Sequence, residues 1–192
     1  MRCALAVFLV LLVAAGCGSS AARVTAKQLP TLVLQPGDLP DTFERFDEGA
    51  QVSLDRVPGP RFDTARFGRK GGWKARYRRA GTTATPGPLV VESRADVFGS
   101  SSDARDDLAA YRDQFAHAVA AQLIRAPSLG DGAVAMTQLR PGTPGIRFYS
   151  IAWRVANATG SVTANGFDGR LTLAQAVALA RAQERHMARA AS

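Results

Sequence analysis

The apolar positions of the chain change period several times, and each period predicts an element. Ala4 to Ala15 is an almost unbroken apolar run, preceded by Met1-Arg2-Cys3 and followed by Gly16-Cys17. One cation, about a dozen apolar residues and small residues before a cysteine predict a secretory leader, because a membrane span needs roughly 20. Residues 17–28 are small and polar after the cysteine and show no apolar period, so they predict a tether, which as a random coil holds the body about 20 Å from its attachment. Leu32-Val33-Leu34, stopped by Pro36-Gly37, marks the start of the folded body at Leu29. Phe43, Phe46 and Val52 alternate only loosely with acids, and Pro58-Gly59-Pro60 opens an irregular loop that runs to Gly72.

Beyond that loop the periods are clean. Trp73 to Arg78 sets Trp73, Ala75 and Tyr77 against Lys74, Arg76 and Arg78, and Leu89 to Phe98 sets Val91, Ser93, Ala95 and Val97 against Glu92, Arg94 and Asp96. Two half-buried strands joined by a Gly/Thr/Pro turn predict a hairpin. Ser100 to Arg125 keeps helical spacing through Ala104, Leu108, Tyr111, Phe115, Val119 and Leu123, with Ser100 and Asp103 as a capping box. Ala133 to Leu139 and Ser161 to Ala164 predict short strands, and Ile146 to Val155, apolar on both faces, a central one. Thr172 to Arg189 predicts a second helix, capped by Thr172 and Gln175, that buries Leu173, Val177, Ala180 and Met187 and turns Arg181, Arg185 and Arg189 outward. The fold expected is α+β, an antiparallel sheet of about five to six strands with two long helices packed on one face.

Length and cysteine count sharpen the organisation. The 192 residues divide into a leader at 1–16, a tether at 17–28 and one domain at 29–192. Val13-Ala14-Ala15-Gly16-Cys17 resembles a bacterial lipobox, in which the cysteine receives diacylglycerol and becomes the first residue of the mature chain. Cys17 is therefore the expected lipidation site, against the plainer reading of a leader cut somewhere between Gly18 and Ala22. Cys3 leaves with the leader, so the mature chain has no internal disulfide and its stability rests on packing. The Ala- and Arg-rich usage matches a GC-rich genome such as an actinobacterial one. A formal charge of +8 often accompanies nucleic-acid binding. An exported, tethered protein rarely meets nucleic acid, and anionic lipid headgroups or wall polymers are the expected counterparts.

Candidate chemistry is sparse. Arg66, Arg69, Lys70, Lys74, Arg76, Arg78 and Arg79 form a stretch without an acid, which is either an anionic-surface contact or a solvated strand face. Trp73, Tyr77, Phe148, Tyr149 and Trp153 are either core or the lining of a pocket for an apolar or sugar ligand, and Phe148 is the one expected to lie outside the main core. Asp103, Asp106 and Asp107 are explained by the helix start rather than as metal ligands, and His117 and His186 lack a zinc-site neighbour. Asn157-Ala158-Thr159 matches a glycosylation acceptor but is read as a turn. No nucleophile elbow, Ser-x-x-Lys pair or phosphate-binding glycine loop is present, so no catalytic, cofactor or metal residue is assigned.

The order Leu34-Gln-Pro-Gly-Asp-Leu-Pro-Asp-Thr-Phe43, the Trp73–Tyr77 strand, Val97-Phe98 before Ser102-Asp103-Ala104, Leu129-Gly130-Asp131 and Arg154-Val155-Ala156-Asn157 resembles that of actinobacterial envelope lipoproteins. These are similar to the extracellular sensor domains of serine/threonine kinases. The resemblance implies binding in the envelope. Such sensor domains carry paired cysteines, and the expected mature chain has none beyond Cys17, so no disulfide-stapled cleft and no functional residue carries over. The expected function is a lipid-anchored, non-catalytic module on the outer face of the cell membrane that binds an unidentified protein or small molecule. The alternatives are a lipid or glycolipid carrier, with an apolar cavity between helices and sheet, and an enzyme with a non-local site.

Overall fold

Strand formation follows the alternation read above and extends beyond it at both ends of the sheet. The computed structural model describes residues 23–51 and 67–192; the leader, Cys17 and Arg66 lie outside them. Seven strands, β1 (Glu44–Ala50), β2 (Arg69–Arg78), β3 (Val90–Phe98), β4 (Ala121–Ile124), β5 (Ala133–Arg140), β6 (Ile146–Val155) and β7 (Ala158–Phe167), form one antiparallel sheet ordered β1-β2-β3-β7-β6-β5-β4. The expected five to six strands become seven because β1 and β4, the two edges, are too exposed to carry a clean period. The β2–β3 hairpin pairs in the expected phase, with Trp73 opposite Ala95 and Tyr77 opposite Val91.

The helices α1 (Ser101–His117) and α2 (Leu173–Ala191) pack on opposite faces of the sheet, not on one. On β6, Ile151 and Trp153 enter the main core beside Ala176, Ala180 and Met187 of α2, whereas Ala152 joins Tyr111 and Phe115 of α1 in a second cluster. Neighbouring side chains on a strand point to opposite faces, so a strand apolar on both faces demands a cover on each. Helix α1 ends eight residues before the expected Arg125. Ala118 is already extended, Ala120 takes φ 55°, and Leu123 pairs with Met136 in β4–β5. Alanine favours helix, but intrinsic propensity is a small term and strand pairing overrides it here.

The described residues of the expected tether, 23–28, are built into the body: Arg23 donates to the Gly99 carbonyl, and Gln28 Nε2 to that of Ala190 at 3.1 Å. Val24 is 1 % exposed, with its N–H donated to Asn157 Oδ1 at 2.8 Å and its carbonyl accepting from Asn157 Nδ2 at 3.0 Å. The same amide nitrogen donates to the Phe98 carbonyl, so Asn157 is the buried tie of the turn, not an open acceptor site. From there the chain runs through 3-10 turns at Ala26–Thr31 and Pro36–Asp38, burying Leu29, Leu32, Val33, Leu34 and Leu39. Leu34 is held by two side chains. Its N–H donates to Ser93 Oγ (2.9 Å), its carbonyl accepts from Tyr77 OH (2.6 Å), and Ser93 in turn donates to Gln183 of α2. The α2 side of the sheet is therefore closed by this strap together with α2.

Candidate functional site

The face covered by α1 is only half closed. Helix α1 lies over β5, β6 and part of β7, and where its cover ends a groove of about 280 Å³ opens between helix and sheet. Its floor is a set of hydroxyls where the opposite face is aliphatic: Ser150, Ser161 and Thr163 back onto Ile151 and Val162. Ser150 Oγ and Thr163 Oγ1 lie 3.0 Å apart across β6–β7, and Tyr111 OH donates to Ser161 Oγ at 2.9 Å. The wall is apolar. Tyr111 and Phe115 meet edge to face at 5.7 Å, Met136 packs beside them, and Phe148 stands at the far side with the Arg140 guanidinium over its ring. Gln114 and Gln138 add amides at the rim, the latter donating to the Val119 carbonyl at 2.6 Å.

The third side is charged. Arg94 Nε donates to Glu92 Oε1 at 2.6 Å, and the other Glu92 oxygen faces Arg76 at 3.2 Å. Burial works against the charge on Arg94. The Glu92 carboxylate, the Tyr111 hydroxyl and Asp96 outweigh it, so the guanidinium's pKa sits above its ordinary value. Deeper under α1, Asp107 accepts from Thr159 Oγ1 at 2.7 Å. Asp107 is thus a buried sheet contact, and of the three acids only Asp103 makes the cap bond, its N–H donating to Ser100 Oγ.

The basic stretch lies beside this groove, and its partners come from the neighbouring strands. Lys74 meets Asp47 at 2.7 Å, Arg76 lies between Asp47 and Glu92, and Arg78 meets Glu44 at 2.5 Å. The hydrogen bond from Lys74 holds the Asp47 carboxyl below its usual range. Arg69 is paired with the buried Asp96, and Arg79 donates to the carbonyls of Pro86 and Pro88. Lys70 is exposed at the start of β2. The acids missing from the linear stretch are supplied by β1 and β3, which makes it an ion-paired ladder rather than a bare cationic face.

Of the aromatic candidates, Trp153 and Tyr77 are core, while Tyr149 and Trp73 pack partly buried against the same core. Phe148 alone of the five lines the groove. His186 bonds Asp38 at 2.8 Å and His117 lies near Asp113, and among the described residues no group of His, Cys, Asp and Glu is placed to hold a metal. Among the described residues the groove lining contains neither histidine nor cysteine.

The chain is similar in fold to the extracellular domain of PknH from Mycobacterium tuberculosis. The TM-score is 0.64 at 12 % sequence identity, covering 87 % of this chain and 98 % of that one. The expected likeness to actinobacterial extracellular sensor domains is thus met at the level of the fold. No family model matches the chain, and no curated protein matches it in sequence. Among the described residues no helix is long and apolar enough to cross a membrane.

Proposed function

We propose that this protein is a lipid-anchored, non-catalytic, sensor-like binding module of the cell envelope and that the α1-side groove is its ligand site. The observation that carries this reading is the groove itself. Buried hydroxyls occupy the centre of the sheet at positions where packing alone favours aliphatic residues, and they open onto an aromatic wall and a charged end. Few polar groups set in a largely apolar concavity are the usual make-up of a small-molecule site. The fold shared with an extracellular domain supports work outside the cytoplasm.

The anchor is Cys17. Because Val24 is buried in the body, the link from Cys17 spans at most about 25 Å fully extended, and the module sits at the membrane surface. At that distance the exposed Lys70 is available to anionic headgroups, while Lys74, Arg76 and Arg78 already spend their charge on β1 and β3. The carrier reading is weaker, because the α2–sheet interface is filled: a Cβ at Gly160 would meet Met187 Sδ at 2.5 Å and Trp153 Cζ2 at 2.9 Å. The anchor is tested by Cys17→Ser with cell fractionation. The variant is expected in the soluble extracytoplasmic fraction, and unchanged membrane retention would overturn the anchor.

A further inference from the structure

We infer that the α1-side groove is built for a polyol ring that carries one anionic group, an acidic sugar unit. This rests on the reading of the groove as a ligand site and adds the chemistry of the ligand. Three independent features converge on it.

The first is hydroxyl capacity. Ser150 and Thr163 bond each other, and a pair of hydroxyls joined by one bond uses one of its two hydrogens. The second hydrogen and several lone pairs remain for a ligand, and Ser161, already accepting from Tyr111, keeps its own hydrogen. Gln138 spends its amide nitrogen on Val119 and keeps its carbonyl oxygen as an acceptor at the rim. Donors and acceptors alternating over a few ångströms match a ring that bears a hydroxyl on each carbon. A purely apolar ligand would strand these groups without partners, at the cost of desolvating them.

The second is the apolar wall. Phe115, Met136 and Phe148 present carbon surface beside the hydroxyl floor, which suits the C–H faces of a sugar ring and excludes a fully hydrated inorganic ion as the sole occupant. A volume of about 280 Å³ holds one such ring with its substituents and lies just below the ~300 Å³ at which sites for drug-sized ligands begin.

The third is the charge at the β3 end. Within one cluster Lys74, Arg76 and Arg94 share two carboxylates, Asp47 and Glu92, three cations to two anions. Arg94, whose Nε is taken by Glu92, keeps its four terminal N–H donors outside that bond, and such a fork fits a carboxylate or a phosphate.

The experiment is an amide NMR titration of the mature chain carrying Cys17→Ser, with glucuronate, glucose 6-phosphate, glucose and inorganic phosphate as probes. Glucuronate or glucose 6-phosphate is expected to shift β6, β7 and β3 resonances about tenfold more tightly than glucose. Whichever of the two binds more tightly identifies the acid as a carboxylate or a phosphate ester. Arg94→Gln is expected to erase the preference for the acidic probe over glucose. Thr163→Val, which keeps shape and charge, is expected to weaken glucose and the acidic probe alike. Three results would overturn the inference: no groove resonance moving with any probe, glucose binding as tightly as its acidic forms, or inorganic phosphate binding as tightly as glucose 6-phosphate. If an apolar molecule or a peptide is instead found in the groove, the binding-module reading stands and the sugar class falls.

Discussion

Single atoms decide what fits on the faces of the sheet, and Gly72 is the clearest case. A Cβ there would lie 1.9 Å from Arg69 Nη2 and 2.1 Å from Asp96 Oδ1, so the buried pair occupies the space a side chain needs. Gly72→Ala is expected to destabilise the protein by about 3 kcal/mol, the scale of breaking a buried ion pair, as read from a denaturant midpoint. A midpoint within 0.5 M of wild type, at about 1–3 kcal/mol per molar urea, would contradict the geometry. Tyr77 makes a second statement at this scale. Burial pushes its hydroxyl up to about 12 while the unfolded chain ionises near 10. A pKa raised in the folded state gives stability below the unfolded value that is lost as pH rises, so stability should fall from about pH 10 upward. Tyr77→Phe is expected to remove that part of the alkaline loss, while costing about 1–2 kcal/mol at neutral pH because the Leu34 carbonyl loses its donor.

At the scale of elements, the legible parts were those in which burial imposes a period. The hairpin of β2 and β3, the central strand β6 and the capped α2 all follow from alternation or from Thr172 and Gln175, which form the expected reciprocal cap. The edges β1 and β4 were not legible, because a strand with one neighbour and little burial need not alternate. The end of α1 misled because Val119 and Leu123 continue the helical spacing, although Val119 is 85 % exposed and Leu123 lies in β4. Ala120 tests this assignment through its sign. At φ 55° an alanine is strained, so Ala120→Gly is expected to raise stability by about 1 kcal/mol, whereas inside a continuous helix the same change costs about 1 kcal/mol. Thermal unfolding of the variant distinguishes the two directions.

For the whole molecule, the two faces of the sheet have different tasks. One is sealed by α2 and the N-terminal strap, with Leu32, Leu34, Ile151, Trp153 and Met187 fully enclosed. The other passes from the apolar contact beneath α1, through the hydroxyl row of β6 and β7, to the ion-paired ladder of β1, β2 and β3. The groove lies where these zones meet. Its residues come from five separate elements, so no linear motif marked it. The signal that was present is the run of hydroxyls Ser150, Ser161 and Thr163, each flanked by apolar residues in a central strand. Retention of a ligand in this groove is the central claim, and native mass spectrometry of the mature chain, expressed in an actinobacterial host and purified gently, tests it most directly beside a Thr163→Trp variant that fills the groove. An added mass on the wild-type protein that is absent from the folded variant is the expected result. A bare mass for both, or an adduct that survives in the variant, would contradict it.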